Sequence, residues 1–125
     1  MVNKQRNKKV LTIAHNNLIH FQLKEILSNI DKTMIIRQAF SYKEADDLFS
    51  HFLPDTVFID KSLFDGSSLF LVQLFKIVNP KVKVILMVHS PTTDFIRRCL
   101  ELGVDDFFEK SNICILFNYI DQKLI

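Results

Sequence analysis

Two segments, DTVFID at residues 55–60 and VKVILMV at residues 82–88, carry continuous apolar runs rich in branched side chains. A strand that is apolar on both faces must be covered on both faces, which places these two in the middle of a parallel sheet. The stretch between them, SSLFLVQLFKIVN, has apolar residues at helical spacing and is read as the crossover helix. The same alternation extends outward. KKVLTIA is a first strand, and NNLIHFQLKEILSNI a helix with Leu23, Ile26, Leu27 and Ile30 on one side. TMIIRQAF is a second strand, and SYKE sets Ser41 three residues before Glu44, a capping box opening a helix that Pro54 ends. TTDFIRRCLELG supplies Thr92 or Thr93 as a cap and Gly103 as a stop; DDFFEK is a last strand and NICILFNYIDQKLI a closing helix. Strand and helix alternating five times predict an α/β doubly wound sheet of five parallel strands with helices on both faces.

The chain is 125 residues long, the size of one domain with its own core, and residues 1–125 are read as a single domain whose first seven residues form a frayed basic tail. Sixteen Lys and Arg stand against fourteen Asp and Glu. No basic stripe recurs after the run from Lys4 to Lys9, so nothing supports nucleic-acid binding. Cys99 and Cys114 lack metal-ligand spacing and sit in apolar helical segments, as buried thiols of a reducing cytoplasm do. No signal-peptide pattern opens the sequence and its apolar stretches are interrupted well before membrane-spanning length, so a soluble, cytoplasmic protein without a membrane partner is expected.

In open parallel sheets function collects at the carboxyl ends of the strands. Here those ends carry Ala14 and His15, then Asp60, then Met87 with His89 just beyond, and finally Lys110. By spacing alone an Asp and a Lys at a sheet edge are more often a structural ion pair than a reactive site. His15, Asp60 and His89 could in principle converge on Zn²⁺, but no HExxH or Cys/His cluster supports this, and no metal is assigned.

Three segments in order, PDTVFIDKSLFDG, VKVILMVHS and ELGVDDFFEKS, resemble the receiver domain of two-component response regulators, the chemotaxis-protein type, over nearly the whole chain. The resemblance implies a flavodoxin-like (βα)5 fold and a signalling rather than an enzymatic role. It also matches Asp60 to the phospho-acceptor and Lys110 to the lysine that contacts the phosphoryl group. Receivers take a phosphoryl group from a histidine kinase with the help of Mg²⁺, a hard cation held by oxygen ligands that include an acidic pair at the end of the first strand. Ala14 and His15 occupy the pair's positions, Met87 the place of a Ser or Thr hydroxyl, Phe107 that of the switch aromatic and Ser111 that of a proline.

The departures imply a pseudo-receiver that keeps the fold and binds proteins without phosphorylation and without a cofactor. Two other readings stay open. One is an unorthodox receiver in which Asp60 still accepts phosphate and Asn16, Asp65 or Glu109 helps to hold Mg²⁺. The other is a flavodoxin-like small-molecule-binding or enzymatic domain, although no Gly-rich phosphate loop follows the first strand. The partner is expected to be a histidine kinase, an effector or a second copy. With Leu71, Phe75, Val78 and Val72 taken to face the sheet, Phe70, Leu74 and Ile77 form an apolar patch on the opposite side of the crossover helix, a candidate interface. Its rival is the face carrying Phe95, Ile115 and Tyr119.

Overall fold

The computed structural model describes residues 7–62 and 68–110. Within them the chain runs β1 (Lys9–Ile13), α1 (Asn17–Ile30), β2 (Ile35–Ala39), α2 (Tyr42–Phe52), β3 (Thr56–Asp60), α3 (Ser68–Val78), β4 (Lys83–Val88), α4 (Thr93–Leu102) and β5 (Asp106–Glu109). The strands form one sheet in the order β2-β1-β3-β4-β5, and every pairing is parallel. The reversal of winding falls between β1 and β3, so the ends of these two strands define a crevice. The segment read as a closing helix, with Cys114, Ile115 and Tyr119, lies outside the described residues, as do Asp65 and Ser111.

Helix boundaries follow local chemistry. Asn16 caps α1 by accepting from the Leu18 N–H, and Thr92 rather than Thr93 caps α4 by accepting from the Phe95 N–H. Ser41 accepts from the Glu44 N–H, but the Glu44 carboxylate reaches past the cap to the Phe40 N–H at 2.7 Å, so the capping box is one residue wider than the sequence suggests. Helix α2 ends with Leu53 in the left-handed region ahead of buried Pro54, and α4 ends on Gly103 at φ 107°.

Strand alternation divides the core into two layers. Leu11, Ile13, Val57, Ile59, Val84 and Leu86 meet Phe49 of α2, Leu71, Val72 and Phe75 of α3, and Cys99 of α4. Val10, Phe58, Ile85, Met87 and Phe108 face the other way, onto Leu23 and Leu27 of α1. The β3 residues are buried throughout, as the unbroken apolar run of this strand requires. Helix α3 is rotated slightly from the orientation read in its sequence: Ser68, Leu71, Val72 and Phe75 are buried, whereas Val78 is exposed. The buried stripe therefore starts one turn earlier, and Ser68 is held there by its hydroxyl, which donates to the Lys61 carbonyl at 3.2 Å.

Candidate functional site

Asp60 closes β3 between β1 and β4, and its residue is 2 % exposed. Its Oδ1 accepts from the Ser62 backbone N–H at 2.9 Å and from Lys110 Nζ at 2.9 Å. Lys110 Nζ also donates to Ser62 Oγ at 3.0 Å. Lys110 reaches this point because its own N–H is tied to the Val88 carbonyl, which continues the β4–β5 ladder by one residue. Lys61, next to Asp60, is fixed in the same way on the Met87 carbonyl. The centre of the crevice is thus a buried carboxylate, a partly exposed ammonium and an exposed hydroxyl, joined by charge-assisted bonds.

On the β1 side, register pairs Ile13 with Ile59, so Ala14 stands level with Asp60. Ala14 is fully buried; its N–H donates to the Ala39 carbonyl. Its carbonyl is engaged by a residue that the reading of strand ends passed over. His20, on the buried stripe of α1 with Leu23 and Leu27, sets Nε2 2.7 Å from the Ala14 carbonyl and Nδ1 2.8 Å from Thr12 Oγ1. Its ring packs against Phe40 with centroids 4.3 Å apart. A signal was present in the sequence, since a polar Thr in the middle of KVLTI and a His one helical turn before Leu23 and two before Leu27 point into one layer. Burial pushes the His20 imidazole below its ordinary pKa; the Ala14 and Ala39 carbonyls and the charges of Asp60 and Glu44 oppose this without overcoming it.

Met87 pairs with Asp60 in register and is buried among the apolar side chains facing α1, so a thioether occupies the strand position beside the carboxylate. Phe107 is half-buried against the opposite layer. His15 and His89 are both exposed, and His89 lines a cavity of about 200 Å³ beside Lys61, whose ammonium lies 5.0 Å from the centre of the Phe95 ring. Among the described residues no three His, Cys, Asp or Glu side chains gather as a metal-binding group. The described residues also include no helix long and apolar enough to cross a membrane. On α3, Phe70 and Ile77 are well exposed, Leu74 is half-buried, and Phe70 touches Tyr42 of α2 at a centroid distance of 5.7 Å.

Comparison with protein-family models and with curated proteins gives no match. Solved structures do match. The signal receiver domain of a DNA-binding response regulator from Colwellia psychrerythraea 34H superposes with a TM-score of 0.86 at 24% identity, covering 94% of this chain and 98% of that one. A two-component response regulator from Clostridium difficile gives 0.83 at 24% identity, over 94% and 96% of the two chains. A CheY-like receiver domain protein from Methanospirillum hungatei JF-1 gives 0.82 at 20% identity, over 94% of each. The five-stranded parallel sheet is therefore that of the flavodoxin-like, CheY-like receiver domains of response regulators, and this chain has their fold.

Proposed function

We propose that the domain is a receiver-type module of two-component signalling that works through protein contacts and not through phosphorylation of Asp60. The observation that carries this reading is the state of the crevice: Oδ1 of Asp60 is held by Lys110 and Ser62, while Ala14 offers no side-chain oxygen and its carbonyl is bonded to His20. Mg²⁺ favours an octahedral shell of oxygen ligands from carboxylates and water. Ala14 and His15 do not supply those carboxylates, and an exposed imidazole is a poor ligand for so hard a cation. These residues do not fit Mg²⁺, and without it an incoming phosphoryl group meets Lys110 as its counter-charge.

Incubation with acetyl phosphate and Mg²⁺, followed by intact-mass measurement, is expected to leave the protein unmodified. A stoichiometric phosphoryl adduct that disappears in Asp60→Asn would establish the rival reading, which the survival of the Asp60–Lys110 contact favours. The variant Ala14→Asp/His15→Asp is expected to gain Mg²⁺ affinity, since it completes a set of three carboxylates with Asp60. If it folds and ignores Mg²⁺, the end of β1 has been misassigned.

The surface assigned to partner binding is the outer side of α3, with Phe70, Leu74 and Ile77; the partner is a kinase, an effector or a second copy. Ile77 is 78% exposed, so Ile77→Lys leaves the core intact while placing a charge in the patch. Losing one buried Ile side chain from an interface removes about 1.5–3 kcal/mol. Self-association or partner capture is expected to weaken at least about tenfold, read by sedimentation and by pull-down with the cognate kinase. Unchanged assembly in Ile77→Lys, together with disruption by a charge at Phe95, would move the interface to the rival face.

A further inference from the structure

Helices α2, α3 and α4 cover one layer of the core, and α3 touches α2 on one side and α4 on the other. Each starts beyond the carboxyl end of one strand and delivers the chain to the amino end of the next, so the three run in the same direction. Counted from its first residue, α2 carries Lys43 at the second position and Asp46 and Asp47 at the fifth and sixth. Helix α4 carries Asp94 at the second and Arg97 and Arg98 at the fifth and sixth. The signs are reversed position by position. Towards the ends, His51 at the tenth position of α2 corresponds to Glu101 at the ninth of α4. All of these residues are exposed except Asp46, which is half-buried.

The other charges on this face are engaged within the chain: Lys76 with Asp105, Glu44 with the Phe40 N–H and Lys61 with the Phe95 ring. The Asp94–Arg97 contact is 3.4 Å long and stands in solvent, so it yields readily to a partner. Between the two charged helices, α3 shows Phe70 and Ile77 to solvent and, apart from Lys76, carries no charge.

Given the α3 patch as the partner surface, we propose that the partner is a second copy: two chains join through this face about a two-fold axis parallel to α3, which seats α2 of each copy on α4 of the other. Rotation about that axis keeps the helix direction. Lys43 then meets Asp94, Asp46 and Asp47 meet Arg97 and Arg98, and His51 meets Glu101, each twice per dimer. At the axis the exposed Phe70 and Ile77 meet their own counterparts and leave water together. The two-fold that runs across the helices instead sets α2 on α2 and α4 on α4 in opposite directions. It brings Asp46 and Asp47 against their own copies and Arg97 and Arg98 against theirs, a like-charge arrangement that disfavours that dimer.

Charge exchange, read by sedimentation at low ionic strength, tests the arrangement. Asp46→Lys/Asp47→Lys and Arg97→Glu/Arg98→Glu are each expected to weaken self-association at least about tenfold, because each puts like charges into both α2–α4 contacts. An equimolar mixture of the two is expected to recover wild-type assembly, since both contacts of the mixed dimer are again between opposite charges. Should a double variant fail to fold, the wild-type chain decides: a zero-length carbodiimide is expected to form a Lys43–Asp94 amide between isotopically light and heavy copies. Wild-type protein that stays monomeric at about 1 mM overturns the proposal and leaves the α3 surface to a kinase or effector, which pull-down with Ile77→Lys reads separately. Assembly that Ile77→Lys weakens but neither charge variant alters, or a mixture as weak as its parts, overturns the two-fold while keeping the surface. Recovery of Asp46→Lys/Asp47→Lys by wild-type protein alone overturns it in favour of the crossed axis.

Discussion

Lys110→Met is expected to destabilise the domain by about 3 kcal/mol, seen as a lower urea midpoint at unchanged slope. The cost arises at Asp60. Its carboxylate is almost wholly out of water, and without Lys110 it keeps the Ser62 N–H as its remaining described bond. Removing one partner of a buried pair leaves an uncompensated charge, which costs more than the pair itself contributes. The figure is at the low end of the range for such losses because Lys110 retains 22% of its side-chain exposure. Asp60→Asn/Lys110→Met, which removes both charges, is expected to recover most of the loss, and the double-mutant cycle then isolates the coupling. The Arg97–Asp94 pair on α4 is a contrast: both side chains stand in solvent, and breaking it is expected to change stability by no more than a few tenths of a kcal/mol. If Lys110→Met proves as mild as Arg97→Met, Asp60 is not held as a charged group in the folded domain.

Phe75→Ala is expected to cost more, about 4 kcal/mol. Phe75 is fully buried, and its ring stacks on Phe49 with centroids 4.0 Å apart and planes 9° from parallel, joining α3 to α2 over the sheet. Deletion leaves a ring-sized hole that neither helix can close without losing its seat on the sheet residues Val57 and Leu86. A loss of this size is a large share of the stability of a domain of this length. Phe70→Ala, one turn away on the exposed side, is expected to stay within about 0.5 kcal/mol. Equal costs for the two substitutions would mean that α3 is not seated as described.

The architecture was legible because β3 and β4 are apolar on both faces and the caps at Ser41 and Thr92 are local chemistry, set by residues three positions apart. The carboxyl-end residues were legible for a related reason: the last position of a strand follows from the run before it. The orientation of α3 was less so. Its apolar residues run almost without interruption, SLFLVQLF, so periodicity fixes the buried stripe loosely, and the deciding contact is the Ser68 hydroxyl on the Lys61 carbonyl, a bond between residues seven apart. The His20 corner was missed for a third reason. Its members come from β1 and its end, from α1 and from the end of β2, and the pairing of β1 with β2 and the seat of α1 on the sheet bring Thr12, Ala14, His20 and Phe40 together.

Lys76 ties α3 to the approaches of two strands. Its ammonium donates to the Val82 carbonyl at 2.7 Å and to Asp105 Oδ2 at 2.8 Å, and the same Asp105 oxygen accepts from the Val84 N–H at 2.8 Å. The foot of α3 is thereby riveted to the entrance of β4 and to the residue that begins the run into β5. Ile77, the most exposed apolar residue of the helix, is the neighbour of that rivet, and β5 leads within a few residues to Lys110 and its grip on Asp60. One ammonium thus gathers the foot of α3, the entrance of β4 and the approach to β5 at a single knot.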